Sequence, residues 1–132
     1  PLSIILFDLD HFGMFNKLHG HLVGDEVLRT FGRLLQARLR EADLVGRYGG
    51  EEFVAILSGA SRADACRVAD EIRTSLESAS IAGPAGERYP VTVSAGCAEA
   101  DSGVATPESL IRSADVALSM AKRAGRNRIV AI

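Results

Sequence analysis

Arg47-Tyr48-Gly49-Gly50-Glu51-Glu52-Phe53 is the stretch around which the rest of the chain is arranged. Apolar runs lie on both sides of the two glycines, at 44–45 and at 53–57. Because glycine tolerates the positive φ that tight turns require, this pattern predicts two strands joined by a two-residue β-hairpin turn. The two carboxylates after the glycines leave two interpretations open, a solvated turn or a site where charge is held for a function. Spacing alone favours the turn.

The length and composition indicate one globular domain. The chain has 132 residues, enough for one hydrophobic core, and its apolar residues are evenly spread, so we expect a single domain over residues 1–132. The formal net charge is −2 and no basic block is present, which argues against nucleic acid as a partner. Cys66 and Cys97 lie on different predicted elements without CxxC spacing, so we expect core thiols rather than a disulfide or a zinc site.

The first residues form the most apolar segment of the chain. Ile4-Ile5-Leu6-Phe7 is far too short to span a membrane and follows no signal-peptide pattern, so we expect a cytoplasmic domain without membrane contact. The run from Ser3 to Leu9 predicts a central strand that is covered on both faces. Because the chain enters this strand almost at once, we expect it to be part of a longer protein.

Alternation along this strand places Asp8 on the same face as Ile4 and Leu6. A carboxylate without a partner is costly there, so Asp8 needs one. A ligand site beyond the strand and a polar role at the helix start are equally favoured, although Asp10 is better placed to cap the next helix.

Periodicity and turn residues predict the remaining elements. In order, they are a helix over 11–18, a long amphipathic helix from 24 that closes at 40–43, the hairpin, a helix over 61–79, a loop at 82–86, a strand with one buried face at 91–97, a loop over 99–105, a helix from 107 to about 124, and an edge strand over 128–132. The fold class that follows is an α/β sandwich with a mainly antiparallel central sheet flanked by helices. His19 and His21 flank Gly20, but further ligands for zinc are not near them in the sequence.

Gly49-Gly50-Glu51-Glu52-Phe53 resembles the signature of the GGDEF family, the diguanylate cyclases, in the GGEEF spelling. The resemblance continues in order along nearly the whole chain, at 7–12, Asn16, Gly20-His21, Gly24-Asp25, Ser94-Ala95-Gly96, Ala114-Asp115, Ala121-Lys122 and Gly125-Arg126-Asn127. Members of this family condense two GTP molecules into cyclic di-GMP and release two pyrophosphates, with one GTP held by each of two facing domains. The resemblance therefore implies a magnesium-dependent enzyme that acts as a homodimer on GTP.

The resemblance also implies residue roles. Asp8, Glu51 and the backbone carbonyl of Leu9 bind Mg²⁺, with Mn²⁺ as the alternative ion, because such cations prefer oxygen ligands. Glu51 and Glu52 are both candidates for the base that activates the 3′-hydroxyl of the opposite GTP, and the choice between them stays open. The substrate contacts implied are Asn16 and Asp25 for guanine, His21 and Gly50 for the nucleotide, the backbone of Phe12 and Gly13 for the phosphates, and the cations Lys122 and Arg126.

Arg40-x-x-Asp43 precedes the signature, with five residues between Asp43 and Gly49. Spacing alone favours an ordinary helix end, because arginine suits the helix dipole there. However, the motif resembles the family's RxxD site, at which the product cyclic di-GMP binds and inhibits. Arginine can donate to guanine O6 and N7 or to a phosphate, and aspartate can accept from guanine nitrogens. We therefore predict an inhibitory product site at Arg40 and Asp43.

The chain departs from the family pattern at several positions. Gly13 stands where lysine is common, so one cation is lost, and Lys17, His19 and Ser119 also differ. The family's N-terminal helix and its Asp-x-Leu-Thr turn are absent, so we expect an upstream sensory or regulatory region in the longer protein. Gly13 keeps an alternative open, a catalytically silent module that binds GTP or cyclic di-GMP and acts by protein contact.

Overall fold

A computed structural model describes residues 1–101 and 106–132. In chain order the elements are β1 (Leu2–Leu9), α1 (Phe12–His19), α2 (His21–Arg38), β2 (Leu44–Arg47), β3 (Glu52–Ser58), α3 (Arg62–Ala79), β4 (Ile81–Ala82), β5 (Arg88–Tyr89), β6 (Val93–Glu99), α4 (Pro107–Arg123) and β7 (Ile129–Ala131). The main sheet has the order β2-β3-β1-β6-β7, and β4 and β5 form a separate two-stranded sheet. Every pair is antiparallel except β6 and β7. The predicted α/β fold with a mainly antiparallel sheet is confirmed.

Strand β1 lies at the centre of the sheet and is buried on both faces, as its apolar run predicts. Ile5 and Phe7 belong to the core under α2 and α3, where the rings of Phe7 and Phe31 lie 5.4 Å apart. Ile4 and Leu6 belong to the opposite core under α4. Asp8 continues this second face and therefore points to the side of the sheet that α4 covers.

Strand β6 differs from its prediction, because it is buried on both faces rather than one. The reason lies at Gly96, where an added Cβ would be 2.2 Å from the carbonyl oxygen of Ala114. The absence of a side chain lets the backbone of α4 pack directly on β6. The small residues of this strand therefore mark close helix packing, which hydrophobic alternation does not reveal.

The hairpin between β2 and β3 forms, but its predicted two-residue turn is wrong. Residues 48–51 connect the strands, and the Tyr48 N–H donates to the Glu52 carbonyl oxygen at 2.7 Å. Neither Gly49 nor Gly50 has positive φ. The connection is longer than a tight turn, so the strands close without the left-handed conformation that such turns need.

The long helix also has different bounds. It begins at His21, three residues earlier than predicted, directly after Gly20 at φ 87°. It ends at Arg38, so Arg40 lies beyond it, in a turn where the Asp43 N–H donates to the Arg40 carbonyl oxygen at 2.9 Å. The predicted helix end at 40–43 is therefore wrong.

The other elements agree more closely with the sequence. Ser61 and Thr106 cap α3 and α4 with capping boxes, and β7 is the edge strand predicted at 128–132. The short strands β4 and β5 flank the predicted loop at 82–86 and were not predicted. Strand β6 extends into the loop predicted over 99–105, of which residues 102–105 lie outside the described residues.

The positions of the two cysteines and the composition of the helices can be compared with the predictions of core thiols and of no membrane contact. Cys97 is buried and Cys66 is half-buried, both as free thiols, which agrees with their predicted place in the core. Among the helices of residues 1–101 and 106–132, none has both the length and the apolar composition needed to cross a bilayer.

Candidate functional site

A cavity of about 180 Å³ opens where β1 ends, and we call it the β1 cavity. The end of β1, the start of α1, the connection after β2 and the end of α4 meet there. Its lining residues are Asp8, Leu9, Asp10, His11, Phe12, Gly13, Glu51, Lys122 and Arg126. The fold thus brings together the predicted metal ligands, the predicted phosphate contacts and one of the two candidate bases.

Asp8 has the partner that its burial requires. Its side chain is almost fully buried, and it forms an ion pair with the ammonium group of Lys122 from α4. Asp8 lies opposite Glu52 in the register of β1 and β3, and the Leu9 N–H donates to the Glu51 carbonyl oxygen at 3.2 Å. The end of β1 is therefore fixed to the first residues of β3.

Glu51 lies beside Asp8 in this cavity. Burial raises the pKa of Glu51 above its ordinary value, and the neighbouring Asp8 carboxylate raises this pKa further, while Lys122 opposes the shift. Two close carboxylates with a backbone carbonyl form an oxygen donor set that suits a hard divalent cation. In the described ranges no group of three or more His, Cys, Asp or Glu side chains could hold a metal, but the predicted set uses only two carboxylates.

The N-terminus of α1 supplies hydrogen-bond donors to the β1 cavity. His11 precedes the helix in the left-handed conformation, at φ 57°, and none of the side chains described caps this end. The Phe15 N–H is the first in the helix to pair, with the His11 carbonyl oxygen at 2.9 Å. Helix geometry leaves the preceding N–H groups, among them those of Phe12 and Gly13, without intrahelical partners. Free amides at a helix N-terminus favour an anion such as a phosphate.

The expected cap from Asp10 is wrong. Its buried carboxylate instead accepts from the hydroxyls of Thr92 and Ser94, both at 2.7 Å, and from the Asn127 N–H at 3.0 Å. Asp10 therefore joins β1, β6 and the segment after α4. Sequence reasoning missed this role because the partners lie more than 80 residues away along the chain.

The residues predicted to contact guanine lie outside the lining of the β1 cavity. Asn16 is on α1, and its Oδ1 atom is buried without a hydrogen-bond partner in the part of the chain that the structure describes. A Cβ on Gly24 would lie 1.7 Å from this atom, so only glycine leaves space for the Asn16 amide. His21 and Asp25 are exposed one turn apart at the start of α2.

Two further predicted site residues, Gly50 and Glu52, lie around the connection before β3 and do not line the β1 cavity. The Arg47 side chain holds this connection, because Nε donates to the carbonyl oxygen of Gly50 at 3.1 Å and to that of Gly49 at 3.2 Å. Sequence reasoning missed this contact as well. The only signal is an arginine two residues before the glycines.

A second cavity, of about 330 Å³, contains Arg40 and Asp43, and we call it the Arg40–Asp43 site. Its lining residues are Arg38, Arg40, Asp43, Leu57, Gly59, Ala60, Asp64, Arg67, Val68 and Glu71, none of which lines the β1 cavity.

The predicted pair forms one contact unit within the Arg40–Asp43 site. The Arg40 guanidinium donates to Asp43 Oδ1 at 2.7 Å and to the Ser58 carbonyl oxygen at 2.6 Å. The Asp43 side chain is 2% exposed and that of Arg40 is 57% exposed. The hydrogen bond from Arg40 lowers the pKa of Asp43, and the same bond raises the pKa of Arg40.

Comparison with known proteins gives concordant results. The family model described as "Diguanylate cyclase, GGDEF domain" matches residues 1–128. The diguanylate cyclase DosC of Escherichia coli K12 is 40% identical over 129 residues, which cover 98% of this chain and 28% of DosC. This chain thus spans less than a third of the length of that relative.

Solved structures agree with the sequence comparison. The GGDEF domain of DgcB from Caulobacter crescentus, in complex with cyclic di-GMP, has 33% identity and a TM-score of 0.94, over 98% of this chain and 77% of that one. The active GGEEF domain of a diguanylate cyclase from Vibrio cholerae has 33% identity and a TM-score of 0.90, over 98% of this chain and 81% of that one.

Proposed function

Because this chain belongs to the GGDEF family of diguanylate cyclases, we propose that it condenses two GTP molecules into cyclic di-GMP and releases two pyrophosphates, with one GTP held by each of two copies. The observation that carries the proposal is the β1 cavity, where three carboxylates, two cations and a helix N-terminus meet. Such a set suits a nucleoside triphosphate, because the phosphates require cations and amide donors and a divalent cation requires the carboxylates.

In this proposal the phosphates lie between the start of α1 and the end of α4. The N–H groups of Phe12 and Gly13 donate to phosphate oxygens. Lys122 and Arg126 neutralise the negative charge that increases on the leaving pyrophosphate during displacement. Both cations line the β1 cavity, and the ion pair with Asp8 already draws Lys122 to the end of β1.

Asp8, Glu51 and the Leu9 carbonyl are the residues that would hold Mg²⁺ or Mn²⁺, which supplies positive charge beside the phosphates when bound. The raised pKa of Glu51 supports this assignment, since burial and the neighbouring Asp8 carboxylate both disfavour its charged form, and a bound divalent cation would favour that form. Glu51 and Glu52 remain the candidates to accept the proton of the attacking 3′-hydroxyl. Glu52→Gln separates them, because it removes one candidate base and leaves the proposed ligands in place.

The guanine base is read on the α1–α2 side. Asn16 and Asp25 offer an amide and a carboxylate that complement the carbonyl and the N–H groups of guanine, and His21 and Gly50 provide further nucleotide contacts. The Asn16 amide supports this proposal, because its Oδ1 atom lies against Gly24 without a hydrogen-bond partner among the described residues, and a buried polar atom usually has one, so the amide gains a partner if it turns toward a base.

The test is direct. Concentrated protein is incubated with GTP and MgCl₂, and cyclic di-GMP is detected by mass, with ATP as the control that gives no cyclic product. The rate per protein should rise with protein concentration until dimers predominate, because one copy holds only half of the reacting pair. If no product forms at concentrations where sizing shows dimers, the protein is not a cyclase.

We also propose that cyclic di-GMP binds at the Arg40–Asp43 site and inhibits by linking two copies so that their GTP molecules cannot meet. Arg40 is half-exposed there and can turn toward a guanine or a phosphate, while Asp43 is fixed behind it. The site shares no lining residue with the β1 cavity, so product and substrate can bind the same copy.

Gly13 favours a second candidate function, a silent module that binds GTP or cyclic di-GMP and acts by protein contact. This residue lines the β1 cavity without contributing the side-chain cation that the family commonly has there. GTP binding without any cyclic product at dimer concentrations would identify this second function.

A further inference from the structure

The segment after α4 has a backbone that requires support. The helix ends in a Schellman motif, in which the Arg126 N–H donates to the Ala121 carbonyl oxygen at 3.0 Å and Gly125 has φ 125°. Arg126 and Asn127 then also have positive φ, 64° and 47°. Residues with a Cβ disfavour this conformation, so two in succession persist only where surrounding contacts fix them.

Two sets of contacts fix Asn127. On its backbone, the N–H donates to the Asp10 Oδ2 atom at 3.0 Å. On its side chain, Nδ2 donates to Glu77 at 2.6 Å, and Oδ1 accepts from Arg73 at 3.1 Å. Asn127 is thus attached to the end of β1 on one side and to α3 on the other.

Asp10 is the buried member of these contacts. Oδ1 accepts from Ser94, and Oδ2 accepts from Thr92 and from the Asn127 N–H. Three donors from the protein thus satisfy the carboxylate, which argues against Asp10 as a metal ligand despite its position two residues after Asp8.

We propose that Asp10 is a positioning residue that holds Arg126 at the β1 cavity by anchoring the backbone of Asn127. The inference rests on the proposed function, because it gives Arg126 the role of a phosphate contact. Asp10 lines the β1 cavity, but protein donors engage both of its carboxylate oxygens, so it affects the nucleotide through the segment that carries this arginine. Removing Asp10 therefore weakens nucleotide binding no further once Arg126 is absent.

The test is a double-mutant cycle on the affinity for a non-hydrolysable GTP analogue with MgCl₂, measured by calorimetry. Arg126→Ala removes a charged donor and should weaken binding about tenfold or more. Asp10→Ala should weaken it by a smaller factor, and the double variant should equal Arg126→Ala alone. Independent, multiplying losses would overturn the proposal, because Asp10 would then act by another route.

Two further variants keep the test valid if Asp10→Ala is unstable. Asp10→Asn retains one acceptor oxygen for Asn127, and the Ser94 hydroxyl can rotate to accept from the new amide, so affinity should stay near wild type. Ser94→Ala removes a different donor from the same carboxylate and should also leave affinity unchanged. If either variant loses as much affinity as Arg126→Ala, Asp10 does not act through the Asn127 anchor.

Hydrogen exchange at the Asn127 amide gives a readout that does not depend on nucleotide. The amide should be protected in wild type and in Ser94→Ala, and it should exchange faster in Asp10→Ala. An Asn127 amide that exchanges equally fast in wild type and Asp10→Ala refutes the anchor. A wild type that keeps this protection but does not bind the analogue refutes the proposed function, and with it the role of Asp10 in binding.

Discussion

The β1 cavity and the Arg40–Asp43 site each place carboxylates beside a cation, but the balance of charge differs. In the β1 cavity Glu51 lies beside a second carboxylate, Asp8, and its pKa is raised. In the Arg40–Asp43 site one carboxylate meets one guanidinium at 2.7 Å, and the pKa of Asp43 is lowered.

This difference indicates different demands on a ligand. The β1 cavity holds two neighbouring carboxylates, Asp8 and Glu51, whose charge a divalent cation would balance, so its function should depend on each of them. The second region is already satisfied internally, so a ligand must compete with Asp43 and with the Ser58 carbonyl for Arg40. Each contact between a ligand and the Arg40–Asp43 site should therefore contribute less to binding than a contact in the β1 cavity. Loss of one residue of the Arg40–Asp43 site should also reduce turnover less than loss of a carboxylate from the β1 cavity.

The largest effect should come from the proposed metal ligands. Asp8→Asn or Glu51→Gln should reduce magnesium-dependent turnover by about 100-fold or more, because each removes a ligand charge and little volume. Cyclic di-GMP production is the measurement, and thermal unfolding shows whether the fold is retained. Glu108→Gln, which removes an exposed carboxylate in the first turn of α4, is the matched control and should retain full activity. Full activity in Asp8→Asn or Glu51→Gln would remove these residues from the metal site.

A smaller effect, on product binding but not on GTP binding, is expected at the Arg40–Asp43 site. Arg40→Ala should weaken binding of cyclic di-GMP by about tenfold, because a charged donor to the ligand is lost, and should relieve product inhibition. GTP affinity should be nearly unchanged, since Arg40 does not line the β1 cavity.

Calorimetry with cyclic di-GMP measures this selectivity. Arg29→Ala removes an exposed arginine of α2 that pairs only with Glu26 among the described residues, and it should bind product as wild type does. Equal product affinity in Arg40→Ala and wild type would contradict the proposed inhibitory site.

The contrast between the regions also shows what the sequence could predict. Alternation with Ile4 and Leu6 predicts that Asp8 lies on a buried face of the sheet. Its need for a partner follows from the cost of burying a charge. The partner is Lys122, 114 residues later, which sequence analysis marks only as a cation at a helix end that suits the dipole and, by the family resemblance, as a phosphate contact. Local pattern therefore predicts that a contact is needed, whereas tertiary structure decides which residue makes it.

Both errors arise from hydrogen bonds that involve side chains. Asp10 was expected to cap the first helix because it directly precedes the predicted range 11–18, but its partners Thr92 and Ser94 are supplied by the chain next to β1 in space. The turn before Glu51 was expected to be tight because of its glycines, but Arg47 holds a longer connection by its side chain. The first contact is long-range and the second joins residues only three apart, but neither leaves a periodic signal in the sequence.

Gly13→Lys should have a moderate effect on turnover, because it adds a positive charge to the β1 cavity and leaves the Arg40–Asp43 site unchanged. The added cation lies at the β1 cavity, near the phosphate charge, so turnover should rise several-fold. The structure has space for the change, since an added Cβ at Gly13 has nothing within 4 Å.

Gly13→Ala is the control for this variant. It improves helix propensity without adding a charge, so it should not reproduce the gain in turnover. If Gly13→Lys turns over at the wild-type rate or more slowly, the missing cation is not what limits this chain.

The smallest effect concerns the stability that the Arg40–Asp43 pair contributes. Because Arg40 lowers the folded-state pKa of Asp43 below the unfolded value of about 3.9, the unfolded chain binds the proton more readily. The stability that the Arg40–Asp43 pair contributes is therefore fully present above the pKa of Asp43 in the unfolded chain, and it is lost as the pH falls through the pKa of Asp43 in the folded protein.

Asp43→Asn should consequently unfold a few degrees below wild type at neutral pH, since an ion pair with an exposed arginine contributes little. This difference should shrink as the pH is lowered below about 4, where the wild-type carboxylate takes up its proton. Thermal unfolding followed by circular dichroism between pH 7 and pH 3 measures it. In an Arg40→Ala background the same substitution should show a weaker pH dependence, because the guanidinium that lowers the pKa is gone. A stability difference that stays constant or grows in acid would mean that the charge of the Asp43 carboxylate, which the Arg40 side chain and the Arg40 N–H at 2.8 Å both contact, does not stabilise the fold.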